Sequence, residues 1–310
     1  VNVESGCAPG SLPWLYRSVQ RHLYDILSLF DLQDAGDGGF LGPQPDVPGL
    51  FRVYGGQVAA QATAAAARTV PDRRLHSLHV AFLRPGDPKA PLHYAVATLR
   101  EGRTFSTRRV TVSQNGTTIM EALVSFLEPI NGDDYQQPMS PAPPPEVLPS
   151  LTDQLVAHLG AAAADYPGPE RLGIVELRYA DLPPRVAVDT APPPSDALCR
   201  LWLRLVGELP ERLLTDPVVG ACMLAYVSDW TILDPVQVAV GKTWQTMANM
   251  ASLDHAIWFH RPVDFSDWLR YDQRSPSVSG GVGLGTGTIY NRDGTLVATV
   301  TQEGFVGGRV

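Results

Sequence analysis

The feature that most restricts what this chain can fold into is that it nearly repeats itself. The word "FLRP" at 82–85 returns as "FHRP" at 259–262, 177 residues later, and "QNGTTI" at 114–119 has a counterpart in "NRDGTLV" at 291–297 at nearly the same offset. Each copy runs through the same order of elements. In the first, "GQVAAQATAAAARTV" (56–70) reads as an Ala-rich helix opened by Gly55 and Gly56, with side chains small enough for a sheet to approach closely. After Pro71 come the strand-like runs "LHSLHVAFLRP", "LHYAVATLR", "TFSTRRVTVSQ" and "TTIMEALVSFLEP". Asn115-Gly116 between the last two is a strong hairpin signal. In the second copy, "TDPVVGACMLAYVSDWTIL" (215–233) supplies the helix, with Thr215 or Asp216 as its cap and Pro217 in its first turn. Four strand-like runs follow it, "ASLDHAIWFHRP", "DWLRYDQRS", "SGGVGLGTGTIY" and "TLVATVTQEGF", and Asp293-Gly294 marks another hairpin. The pattern predicts an α+β duplication, each unit a long central helix wrapped by a curved antiparallel sheet.

The remaining segments are placed around this frame. Apolar residues at helical spacing predict an amphipathic helix over 15–32. "PMSPAPPPEVLP" (138–149) reads as a linker, a second Pro-rich stretch covers 183–194, and strand-like runs occupy about 173–180 and 199–206. The expected division is an N-terminal unit over 15–130, a Pro-rich linker over 131–170 and a C-terminal unit over 171–310.

With 310 residues, 44% of them apolar, the chain suits one large domain or two of ordinary size with a substantial core. The formal net charge of −8 argues against nucleic-acid partners, because phosphate backbones are held by clustered Lys and Arg. No apolar run reaches the roughly 18 residues a membrane span needs, and the N-terminus lacks the basic-then-apolar order of a signal peptide. Cys7, Cys199 and Cys222 form no metal spacing and read as reduced thiols of a cytoplasmic protein.

Three polar residues break the apolar pattern. Asp229 lies within "LAYVSDWTIL" (224–233), and its helical neighbours Cys222, Ala225, Tyr226, Ile232 and Leu233 are all apolar or largely so. A carboxylate in that stripe is costly without donors or a charge partner. Strand alternation puts Leu296, Ala298, Val300 and Gln302 on one face, which makes Gln302 an inward amide able to donate to Asp229. Ser252 supplies a hydroxyl where the strand after the helix begins. The residues alone also allow a plainer reading, an Asp capping a backbone turn and a Gln turned to water.

Other motifs are weaker. "SGGVGLGTGTIY" lacks GxGxxG spacing and leads into a strand, which disfavours a dinucleotide site. His255 and His260 face opposite sides of a strand, so no shared metal is expected. No G-x-S-x-G elbow is present. His76 and His79 interrupt an apolar strand. Arg100, Arg103, Arg108 and Arg109 form either a solvated strand face or a site for the phosphates of an anionic ligand.

The stretches "VYGGQVAAQA", "LHSLHVAFLRPGD", "LREGRTFSTRRVTVSQNG", "LAYVSDWTIL", "SLDHAIWFHRP" and "VATVTQEGF" fall in the order of one family. Over about residues 21–309 the chain resembles the type II acyl-CoA thioesterases. The resemblance implies a double hotdog, acyl-CoA as substrate and hydrolysis without cofactor or metal. It places the family's Asp, hydroxyl and Gln at Asp229, Ser252 and Gln302, with Ser where many relatives have Thr. On this basis Asp229 is expected to activate a water. Backbone N–H groups at Gly56 and Gln57, at the start of the first central helix, are candidates for the oxyanion. Arg103, Arg108 and Arg109 are candidates for the coenzyme A phosphates, and a homo-oligomer is expected by family analogy. A hotdog hydratase or dehydratase using His76 or His79, and a non-catalytic acyl-CoA-binding module, are the rival readings.

Overall fold

The computed structural model describes residues 23–45, 52–165, 170, 173–244, 246–247 and 250–307. The helix expected over 15–32 is helical at 23–28, and its residues 15–22 lie outside the described residues, as does Cys7. The N-terminal copy contains β1 (Gln33–Asp34), β2 (Phe40–Gly42), α1 (Gly55–Ala67), β3 (Arg74–Phe82), β4 (Leu92–Glu101), β5 (Phe105–Gln114) and β6 (Thr117–Leu127). Then come α2 (Leu151–Leu159), β7 (Val175–Tyr179), α3 (Pro184–Thr190), β8 (Leu198–Leu205), α4 (Glu211–Thr215), α5 (Pro217–Ser228) and α6 (Asp234–Val240). The chain closes with β9 (Ala251–Ser252), β10 (Asp254–Phe259), β11 (Leu269–Ser279), β12 (Val282–Asn291) and β13 (Leu296–Phe305). Asn115 and Gly116 both take positive φ, 49° and 76°, as a two-residue β5–β6 hairpin turn requires.

All the strands join one sheet in the order β1-β2-β4-β5-β6-β3-β10-β13-β12-β11-β8-β7, with β9 on β13. The two copies therefore meet edge to edge, β3 against β10. In that antiparallel register His79 lies opposite Ala256, the one facing pair of this seam whose numbers differ by the 177 that separates the sequence repeats. A pseudo-twofold axis thus passes through the β3–β10 seam, and the duplication read from the sequence is expressed as a double hotdog.

Helices α1 and α5 pack against each other on the inner side of the sheet. They run antiparallel, since Gly56 at the start of α1 meets Tyr226 near the end of α5. Seven buried alanines on α1 allow this close fit. Two buried glutamines tie α1 to its own surroundings. Gln61 donates to the carbonyls of Leu29 and Pro43 and accepts from Tyr94, while Gln57 donates to Gln44 Oε1 at 3.0 Å.

The central helices end differently. Asp216 caps the start of α5, accepting from Val218 N–H at 2.8 Å, whereas the start of α1 has no side-chain cap of its own; the far end of α1 is Arg68, whose guanidinium reaches the Leu32 carbonyl at 2.5 Å. Asp229 was expected inside a continuous helix. Instead α5 stops at Ser228, Asp229 is its C-cap, and α6 restarts at Asp234. Pro235 explains the break: it has no N–H to offer a helix continuing from α5. The residues after the break press onto the glycine-rich β12, where a Cβ on Gly285 would sit 2.1 Å from the Ile232 carbonyl oxygen. Close packing, not nucleotide binding, accounts for "SGGVGLGTGTIY".

The Pro-rich connection is docked, in contrast to a flexible linker. Gln136 bonds the backbone of Gly294 and Leu296, Arg200 donates to the Pro141 carbonyl at 2.9 Å, and Trp202 Nε1 donates to the Pro143 carbonyl at 2.9 Å. Arg178 then grips the carbonyls of Pro145 and Leu148. The segment is a strap across the C-terminal half of the sheet. No helix among the described residues is long and apolar enough to cross a membrane.

Within the C-terminal core a second carboxylate, Asp234, accepts from Tyr179 Oη at 2.5 Å and from Gln237 Nε2 at 3.0 Å. Burial outweighs these bonds and raises its pKa to about 7. The unfolded carboxyl titrates near 3.8, so between roughly pH 4 and 7 the folded state holds a proton that the unfolded state has released. This contribution to stability therefore declines as pH rises through that window and is level above it. Asp234→Asn removes the titration. Its melting temperature relative to the parent is expected to climb from pH 4 to 7 and then flatten, and a pH-independent difference would refute the assignment.

Candidate active site

The site is built where the N-terminus of α1 meets the C-terminus of α5, so it draws on both copies. Gly56 N–H donates to Asp229 Oδ2 at 2.8 Å. Gly56 is in the first turn of α1, where N–H groups have no partner within the helix and the helix dipole favours a negative charge. The second carboxylate oxygen, Oδ1, is buried and has no hydrogen-bond donor among the described residues. Asp229 as a whole is half-buried, so one oxygen is fixed by the protein while the other is enclosed without a donor.

Glycine is required at 56. A Cβ there would lie 2.6 Å from the Tyr226 carbonyl oxygen and 2.7 Å from the Tyr54 ring. Tyr54 donates its hydroxyl to that same carbonyl at 2.7 Å, and its ring meets Tyr226 edge-on at 5.1 Å. Burial, and then the Asp229 charge, hold the Tyr54 phenol well above its ordinary pKa, so it stays protonated beside the carboxylate.

Ser252 and Gln302 are together as expected, but neither is bonded to Asp229. Gln302 Nε2 donates to Ser252 Oγ at 2.8 Å. Its Oε1 lies 2.5 Å from Nδ1 of His255, and His255 Nε2 lies 3.0 Å from Oγ of Ser228, the residue before Asp229. The expected direct bond from the Gln302 amide to Asp229 is thus replaced by a chain of two further side chains. The sequence reading missed both His255 and Ser228. Strand alternation carried the signal: His255 shares the inward face of β10 with Ile257 and Phe259, and all three are buried.

Of the two oxyanion candidates, Gly56 has its N–H committed to Asp229. The next residue, Gln57, has an N–H with no helical partner by position. Its side chain turns the other way, to Gln44 and the Pro43 carbonyl, which line a cavity of about 330 Å³ together with Gln33, Leu41, Gly42, Lys89, Ala90 and Pro91.

The three candidate arginines differ in setting. Arg108 is 4% exposed and is consumed by Thr69, the Arg100 carbonyl and Glu101, the last at 2.5 Å. It faces inward with Val110 and Val112, as period-two alternation requires. Arg103 and Arg109 are exposed. The strand registers align Phe82 with Met120 and Met120 with Val112, and a Cβ on Gly55 would meet both Phe82 and Asp229. Arg103 precedes Phe105 at the opposite end of β5, about seven residues or ~23 Å of strand away.

His76 contacts Ser125 and the edge of Phe105, and His79 stacks edge-on against Trp258 at 5.0 Å. Neither is bonded to the helix ends, so the acid–base pair of a hydratase is not assembled here. No cluster of His, Cys, Asp and Glu among the described residues fits a metal.

Comparisons with known proteins bear on the family and the fold. The profile of a family described as "Acyl-CoA thioesterase" matches residues 195–305, and one described as "Acyl-CoA thioesterase N-terminal domain" matches 43–127. The chain is 36% identical to acyl-CoA thioesterase 2 of Haemophilus influenzae, over 92% of this chain and 97% of that protein. Among solved structures, the acyl-CoA thioesterase II TesB2 of Mycobacterium marinum is 36% identical and superposes with a TM-score of 0.73, covering 92% of this chain and 98% of the other. A hotdog-fold protein of Alicyclobacillus acidocaldarius, 21% identical, superposes with a TM-score of 0.70 over 92% of this chain and 98% of its own, and supports the fold alone.

Proposed function

This chain belongs to the acyl-CoA thioesterase family, and from that premise we propose that it hydrolyses acyl-CoA thioesters with Asp229 as general base. The observation that carries the reading is the asymmetric carboxylate, one oxygen held by Gly56 N–H and the other buried and without a donor. A water that reaches the carboxylate with the ester attacks the thioester carbonyl carbon as its proton passes to Asp229. The carbonyl electrons move to oxygen, and the oxyanion is stabilised by the Gln57 N–H at the positive end of α1. Gly56 is relieved of the oxyanion role, because its N–H orients the base. Collapse of the tetrahedral species breaks the C–S bond, and the coenzyme A thiolate takes up the proton held by Asp229, which restores the carboxylate. Ser252 and Gln302 supply the polar wall of the same site, Ser252 through a hydroxyl that Gln302 leaves free to donate.

The test is thiol release from a panel of acyl-CoA esters, short to long. Hydrolysis of at least one class is expected, with free acid and free coenzyme A in equal amounts. An enzyme that binds these esters and releases no thiol from any of them would defeat the proposal.

A further inference from the structure

His255 is fully buried, lies beside no metal ligand, and has no part in the chemistry just described. Its two ring nitrogens are both used, and their partners fix which one carries the proton. The Gln302 oxygen facing Nδ1 can only accept, so Nδ1 must be the donor. In the neutral ring Nε2 then accepts from the Ser228 hydroxyl, 3.0 Å away, which is nearer than that hydroxyl's other acceptor, the Ala225 carbonyl at 3.3 Å. With its oxygen held by the ring, the Gln302 amide cannot flip, and its NH2 group must point to Ser252 Oγ. Ser252 uses an oxygen lone pair to receive that bond, which leaves its own O–H to donate elsewhere. The four side chains form a one-way series, Ser228 to His255 to Gln302 to Ser252, each donating to the next. It begins one residue before Asp229 and ends at the Ser252 hydroxyl.

We propose that His255 is a positioning residue for the hydrolysis: its Nδ1–H locks the Gln302 amide so that Ser252 presents a donor, and not an acceptor, to the site. The inference rests on the thioesterase reading above. It gives a reason for a fully buried imidazole on a strand whose other inward residues are Ile257 and Phe259. Without the ring, the amide is free to turn its oxygen toward Ser252. The hydroxyl would then be spent on Gln302, and the donor to the site lost.

The experiment compares parent, His255→Leu, His255→Asn, His255→Gln, Gln302→Ala and the double variant His255→Leu/Gln302→Ala on an ester the parent hydrolyses, with circular dichroism to confirm folding. Hydrogen-bond partners that orient metal-binding side chains typically contribute about 10–100-fold, and on the same scale His255→Leu is expected to lower kcat with little change in KM. Asn can place an N–H near the Nδ1 position and is expected to recover most of the loss. Gln mimics only the Nε2 end and is not. Because His255 acts through Gln302, the double variant should be no slower than Gln302→Ala alone. A merely structural role gives losses that multiply, and that result overturns the inference, as does a folded His255→Leu with parental kcat. If the Leu variant does not fold, the Asn and Gln variants decide: equal kcat in the two overturns it. A parent that releases no thiol refutes the thioesterase reading, whereas an active parent with losses that multiply refutes only the role of His255.

Discussion

Replacing Asp229 by Asn is expected to lower kcat for acyl-CoA hydrolysis by on the order of 10²–10⁴-fold, the usual contribution of a positioned general base. Asn has nearly the shape of Asp, and its oxygen can still accept from Gly56 N–H, so the α1–α5 junction should hold. What it lacks is a site for the proton of the attacking water. The loss should therefore fall on kcat, with KM for the ester little changed and the melting temperature close to that of the parent. A folded variant with parental activity would mean that another group takes the proton, and the site would have to be sought elsewhere.

Gly56→Ala is expected to affect both activity and stability. The added methyl would sit 2.6 Å from a backbone oxygen and 2.7 Å from a tyrosine ring that is itself hydrogen-bonded to that oxygen. No flexible side-chain end lies there to swing aside, so α1 and α5 must separate. Overpacking of this kind costs about 1–3 kcal/mol, readable as a shift in the denaturation midpoint. Separation also draws the Gly56 N–H away from Asp229, and kcat should fall at least ~10-fold as the base loses its orientation. Unchanged midpoint and kcat would show that the helix contact is softer than described.

How much of this was legible in the sequence can be stated residue by residue. The duplication was legible because strand alternation and hairpin dipeptides are local signals, and the repeat offset reappears in the pairing of His79 with Ala256. Asp229 and Gln302 were legible as single polar breaks in apolar rows. The partner of Asp229 was not, because the bond to Gly56 joins the end of one copy's helix to the start of the other's. Helical periodicity describes neighbours within an element and has nothing to say about which element ends meet. The extension of α5 through Asp229 failed for a more local reason, since Pro235 was passed over as a helix breaker. Arg108 was grouped with its neighbours by charge, although alternation already placed it inward. The strap was assigned by proline content, which reports stiffness and not the carbonyls that Arg178, Arg200 and Trp202 capture.

The unequal ends of the central helices set a division of labour. The pseudo-twofold axis offers the molecule two equivalent junctions, yet only one joins a carboxylate to an open helix start. At the other, Arg68 stands where Asp229 would be, and Asp216 already caps the start of α5. Fusion of the two copies has let their histories diverge: one helix start is held to the chemistry, while its twin answers only to folding. On the proposed mechanism the stoichiometry is one reaction centre per chain, and substitutions at the second junction are expected to register in stability alone.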